Sequence, residues 1–122
     1  MELKRVADDG PLLLTCTVGD ITPDSYQPEG DPLVKLAGAD VYTRCVLVDL
    51  SQSAYMNSSG IGWLMVSHKR TRDKGGALVL HSVPRSIANI LKVLKMDQVF
   101  HLAADETAAR ALAAKLGFAP AK

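Results

Sequence analysis

The sequence has little of what usually announces chemistry. Cysteine is scarce, with only Cys16 and Cys45 among 122 residues. Both sit in apolar runs with no CxxC or Cys/His spacing, so they read as buried free thiols of a reducing compartment, not as a disulfide or a metal pair. Aromatic residues reach only 5%. The basic run from His68 to Lys74 therefore lacks the interleaved rings on which nucleic-acid binders stack bases, and it reads as a solvated helix end. Neither sign of charge dominates: the formal net charge is +1, which gives no reason to expect nucleic acid or an anionic membrane as main partner. No apolar run approaches a membrane span, and "MELKRVADDG" has no apolar segment behind its charges as a secretory leader requires. A soluble cytoplasmic protein, with no membrane insertion, is the expectation.

Catalytic signatures are missing as well. There is no GxSxG elbow, no GxxxxGK[ST] phosphate loop and no HExxH pair. His68, His81 and His101 fall on three different elements without matched acids or thiols, and each reads as a structural histidine. Asp49 ends an apolar strand, where open α/β sheets place functional groups, but a turn-forming role at the strand end is the simpler reading. Neither a metal, a cofactor nor an enzymatic activity is expected.

What is present is ordinary globular material, 48% hydrophobic and 22% charged, enough for one domain over residues 1–122. "LLLTCTV", Leu12 to Val18, predicts a strand, preceded by a short edge strand in "ELKRV" with Asp8, Asp9 and Gly10 as the turn. Residues 19–40 are irregular, because Pro23, Pro28, Gly30 and Pro32 forbid a continuous helix; only "LVKLA" can form a turn or two. "RCVLVDL" predicts a central strand. Beyond it, Ile61, Leu64, Met65 and His68 recur at helical spacing, and Lys69, Arg70, Arg72 and Lys74 complement the helix C-terminal dipole before Gly75 and Gly76. "ALVLHSV" is the next strand, and Pro84 opens a helix with Ile87, Ile90, Leu91 and Leu94 on one face. "QVFHLA" predicts a short strand, and Asp105 caps a last helix that runs through Leu116 to Gly117. The alternation implies an α/β fold with one sheet.

One stretch stands apart. "YMNSSGIG", Tyr55 to Gly62, places hydroxyls and glycines between a strand and a helix. The first amides of a helix lack intrahelical acceptors and lie at its positive end. Asn57 or Ser58 can serve as N-cap with no further function. A phosphoryl group on Ser58 would bring about −1.5 to −2 charges to an end that accommodates anions. Gly60 and Gly62 are poor helix formers, which suggests close approach by another backbone or chain.

The run "VLVDLSQSAYMNSSGIGWLMVSHKRTRDKGGALVLHSV" resembles the core of the STAS domain, the module of bacterial anti-sigma factor antagonists. Asp49-Leu50-Ser51 matches the family's D-L-S strand end. Met56 through Gly62 matches M-D-S-S-G-L-G, and Lys69 leading to Gly75-Gly76 matches K-x-x-x-x-x-G-G. The likeness is strongest over residues 45–117. Two departures stand out: Asn57 replaces the family's aspartate, and after Val18 the G-[ED]-L-D turn keeps only Gly19 and Asp20, with Thr22 in place of the second acid.

The resemblance implies a four- to five-stranded mixed sheet with helices packed mainly on one face. It also implies phosphorylation of Ser58 by a serine kinase that is itself the anti-sigma factor. The unphosphorylated protein would bind that kinase and free the sigma factor, and a phosphatase would restore it after modification. Asn57, Ser58, Ser59, Gly60 and Asp20 are the implied partner-binding residues. Two other readings remain: a constitutive scaffold subunit of a transporter ATPase or stress-signalling assembly, and a small-ligand sensor with a pocket beneath Thr22 to Pro32.

Overall fold

The computed structural model describes residues 2–22 and 31–118. Glu2–Asp9 (β1) and Leu12–Val18 (β2) form an antiparallel hairpin. Cys45–Gln52 (β3), Ala77–His81 (β4) and His101–Ala103 (β5) then add in parallel, giving a mixed five-stranded sheet in the order β1-β2-β3-β4-β5. Four helices connect or flank the strands among the described residues: Pro32–Ala37 (α1), Ser58–Lys74 (α2), Arg85–Val93 (α3) and Glu106–Lys115 (α4). Short 3-10 turns occupy Ala39–Thr43 and Met96–Gln98.

The central strands are almost wholly apolar because both faces of the sheet are covered. Alternation sends Leu13, Val46, Val48, Leu78 and Leu80 to one side, where they pack with Leu33 of α1, Trp63 and Leu64 of α2, and Ile87 and Leu91 of α3. Leu12, Leu14, Cys45, Leu47 and Val79 face the other side, under Ala109 and Ala113 of α4. Three of the four helices thus share one face, as the resemblance implied. Both thiols are buried and unpaired, as read from the sequence. Burial pushes the Cys45 thiol up to about 12, so this sulfur is an inert packing group.

Several details differ from the sequence reading. The first strand is longer than "ELKRV" and takes in Asp8 and Asp9; the turn falls at Gly10, whose φ of 70° needs a left-handed residue. The last strand is only His101–Ala103, because Lys95 turns the chain left-handed at φ 59° and Met96–Gln98 winds into a 3-10 turn. "ALVLHSV" stops pairing at His81, where Ser82 takes φ 55°. Leu94 caps the end of α3 and is exposed. On α2 the buried stripe is Gly60, Trp63, Leu64, Ser67 and Thr71, so Met65 points outward.

That rotation of α2 follows from a buried polar centre. Asp31, fully buried, caps α1 by accepting the Leu33 amide at 3.0 Å through Oδ1, and the same oxygen accepts Trp63 Nε1 at 3.3 Å. Its Oδ2 accepts Arg70 Nη1 at 2.7 Å and the Tyr42 hydroxyl. A buried carboxylate is tolerable only when donors surround it in this way. Arg70 also lies over the Tyr42 ring, 5.8 Å from its centroid. Burial, then the Asp31 carboxylate, pushes the Tyr42 phenol up to about 12, so it stays a donor. The cluster locks α2 to α1 and to the turn at Ala39–Thr43, fixing the helix that carries the candidate site.

Candidate functional site

The site forms where β2 and β3 end side by side. Beyond the sheet their exit loops stay zipped: Gly19 N donates to Gln52 O at 3.1 Å and Ile21 N to Tyr55 O at 2.8 Å, with Ile21 and Met56 in a parallel bridge. Buried side chains anchor the zipper, with Ile21 and Met56 in the core and the Thr17 and Ser53 hydroxyls hydrogen-bonded at 2.7 Å. Ser86 Oγ donates to Ala54 O at 2.7 Å, which ties the start of α3 to the same loop. Asp49 accepts the Ser51 amide at 2.8 Å through Oδ1, but it lies inside β3, paired with Cys16 and His81, and the strand runs on to Gln52, so the turn-forming role read from its position at a strand end does not hold.

Helix α2 begins directly after this loop. Asn57, with extended backbone, is the N-cap, and its Oδ1 accepts the Gly60 amide at 2.9 Å. The sequence left the cap open between Asn57 and Ser58; the structure gives it to Asn57. Ser58 becomes the first helical residue, exposed, and among the described residues nothing hydrogen-bonds its hydroxyl. Ser59 is half-buried.

Gly60 explains itself. A Cβ on it would overlap the carbonyl oxygen of Ile21, lie 2.7 Å from Met56 Cγ and sit 3.1 Å from the Ile21 carbonyl carbon. The close backbone approach expected of this glycine is real, and it comes from within the chain. Ile21 was not singled out in the sequence, and the only signal for it was the glycine it requires. Asp20, exposed beside Ile21, joins Asn57, Ser58, Ser59 and Gly60 at this one edge.

The histidines stay outside it. His81 is buried with Nδ1 2.9 Å from Ser82 Oγ. His68 packs edge-on to Phe100 and His101, at centroid distances of 5.6 and 5.9 Å. Burial, with His101 and then Arg72 nearby, holds its imidazole below the usual histidine range. Among the described residues no group of three or more His, Cys, Asp or Glu is placed to hold a metal ion, and no helix is long and apolar enough to cross a membrane. The pocket considered beneath Thr22 to Pro32 involves residues 23–30, which lie outside the described residues.

Fold and site together define a small α/β domain whose distinctive edge is a capped helix start welded to two strand exits. The family model of the STAS domain matches residues 2–109, and the chain belongs to that family. Solved structures agree on the fold. A protein from Thermotoga maritima described as an anti-sigma factor antagonist superposes with a TM-score of 0.74 at 13% identity, covering 92% of each chain. An anti-sigma-factor antagonist (STAS) domain protein from Planctomyces limnophilus gives 0.64 at 16% identity, covering 96% of this chain and 99% of the other.

Proposed function

We propose that this domain, over residues 1–122, is a protein-binding switch of the anti-sigma factor antagonist type, set by phosphorylation of Ser58. One observation carries the reading: Asn57 performs the capping, so the Ser58 hydroxyl is exposed and has no structural duty among the described residues. A serine kept at this position without a capping role is available for modification. Transfer of a phosphoryl group from ATP to Ser58 Oγ, with the hydroxyl proton leaving to a base on the kinase, adds about two negative charges at the positive end of α2. Because Asn57, Gly60 and the Ile21–Met56 zipper hold the backbone, the added charge changes the surface and leaves the fold alone.

The partner is a serine kinase that acts as anti-sigma factor; it binds the unmodified edge formed by Asp20 and residues 57–60 and loses it on phosphorylation, and a phosphatase reverses the mark. The setting is the cytoplasm, and the domain itself needs no catalytic group for this role. Incubation with the kinase encoded nearby and ATP should label the wild type on Ser58, located by mass spectrometry, and leave Ser58→Ala unlabelled. Equal phosphate uptake by Ser58→Ala would sink the assignment. Stable copurification with a transporter ATPase or stress-signalling assembly, unchanged by Ser58→Asp, would favour the constitutive scaffold instead.

A further inference from the structure

The side of α2 that carries Ser58 continues past the switch. Residues at helical spacing from it are Gly62, Met65, Lys69 and Arg72, a line that runs about 20 Å at 1.5 Å per residue. Met65 is 42% exposed although its neighbours Trp63 and Leu64 are fully buried. Together with Val66, His68, Lys69, Arg72 and Val99 it lines an open groove of about 320 Å³ between α2 and the segment leading into β5. Val99 is itself 44% exposed.

Two features of this groove go unused by the fold. Its floor is apolar and open to water, although α2 already buries a separate stripe against the sheet. Its rim is cationic: Lys69 and Arg72 form no ion pair among the described residues, and no acid lines the groove. Cations in a last helical turn favour the dipole. That accounts for Arg72 and Lys74, but not for Lys69, which lies more than a turn further in, nor for Met65 and Val99.

We propose that the groove is a second docking site, which receives an acidic amphipathic helix of the same partner protein that covers Ser58. Apolar side chains at i, i+4 and i+7 of that helix rest on Met65, Val66 and Val99, and flanking carboxylates meet Lys69 and Arg72. The proposal rests on the reading of Ser58 as the switch, and it adds a second contact to the same partner. Lys69 and Arg72 lie about 16 and 21 Å along the axis from Ser58, roughly two Debye lengths at 0.1 M salt, so a phosphate on Ser58 acts on the switch edge and leaves the groove contact largely untouched.

The test uses the full chain and two synthetic 18-residue helical peptides, identical in their leucine face and flanked by glutamates in one and lysines in the other, titrated by fluorescence anisotropy. The acidic peptide should bind, about tenfold more weakly to Lys69→Glu/Arg72→Glu and not measurably to Met65→Asp, while the double variant gains affinity for the basic peptide. Circular dichroism and Trp63 fluorescence should match the wild type for these surface variants. Equal binding of both peptides, or undiminished binding of the acidic one by the double variant, overturns the proposal. So does a dimer, seen by sedimentation, that Met65→Asp dissolves, or capture on phosphatidylglycerol vesicles without peptide binding. Peptide binding should be the same for Ser58→Ala as for wild type, so failure of the switch assignment and failure of the groove give different results.

Discussion

Replacing Gly60 with alanine sets two well-known effects against each other. Helix propensity alone favours alanine by about 1 kcal/mol in the interior of a helix. At this position, however, the new methyl group would overlap the carbonyl of Ile21 and press on Met56, at 2.7 Å from Cγ. Ordinary contact begins near 3.4 Å, so Ile21 has to retreat by about an ångström or the helix start has to lift. Retreat breaks the Ile21 N to Tyr55 O bond of 2.8 Å, a loss of about 1 kcal/mol. It also disturbs a fully buried side chain, and overpacking of that kind costs about 1–3 kcal/mol. The net expectation is a destabilisation of about 1–3 kcal/mol.

Urea unfolding followed by Trp63 fluorescence is the assay, because the chain has one tryptophan and it is fully buried. With a slope of about 1–3 kcal/mol per molar urea, the midpoint should fall by roughly 1 M. Hydrogen exchange at the Ile21 amide should accelerate as well. A midpoint that stays or rises would mean that propensity wins and that the contact between the two loops does not hold the helix start in place. Gly75→Ala separates clash from backbone strain, since nothing lies within 4 Å of a Cβ there but φ is +85°; its cost should be about 1 kcal/mol.

The other elements give their own tests. Asp31→Ala strands Arg70, Tyr42 and Trp63 without their common acceptor and should cost about 3–5 kcal/mol, with a red shift of the Trp63 emission in whatever fraction remains folded. Asn57→Ala removes the acceptor of the Gly60 amide and should cost about 1 kcal/mol by the same urea assay. His68 gives a pH dependence: its folded pKa lies below the ordinary value of 6.5, so the unfolded chain takes up the proton first. Stability should therefore fall as pH drops below 6.5 and level off below the folded pKa. His68→Phe, which keeps a ring against Phe100, should flatten that slope between pH 7 and 5.

Much of this architecture was legible because periodicity is a local signal. The continuous apolar character of "RCVLVDL" announced a strand covered on both faces, and the C-terminal helix was bracketed by Asp105 and Gly117, which act as read: Asp105 Oδ1 accepts the Ala108 amide at 2.8 Å. Local signals failed where a distant residue decides. Met65 looked inward by spacing, but Trp63 must reach Asp31, 32 positions away, and that turns Ser67 and Thr71 toward the core and Met65 out of it. Arg70 looked like one more surface cation; its partner is 39 positions away and fully buried. At the candidate site the glycine announced a close approach, yet nothing near it in sequence could say that Ile21 makes it. The short last strand is a similar case, since its length is set by the left-handed turn at Lys95 rather than by the apolar run.

Asn57 bears directly on how the proposed switch would respond. A neutral amide caps α2 here, so the positive end of the helix carries no compensating carboxylate from the cap. A negative group introduced at Ser58 should then gain about 0.3–1 kcal/mol from the dipole. With aspartate at position 57, a second charge would sit on the adjacent residue, and two charges about 6 Å apart in water repel by about 0.7 kcal/mol, enough to cancel that gain. Ser58→Asp should accordingly stabilise the wild type and do little or nothing in the Asn57→Asp background. The double-mutant cycle should return an unfavourable coupling of about 0.5 kcal/mol at low salt, shrinking as salt is added. A coupling of zero or of favourable sign would mean that the cap residue does not feel the charge at Ser58. If the coupling has the expected sign, a negative charge at Ser58 stabilises the helix start more beside asparagine at position 57 than beside aspartate.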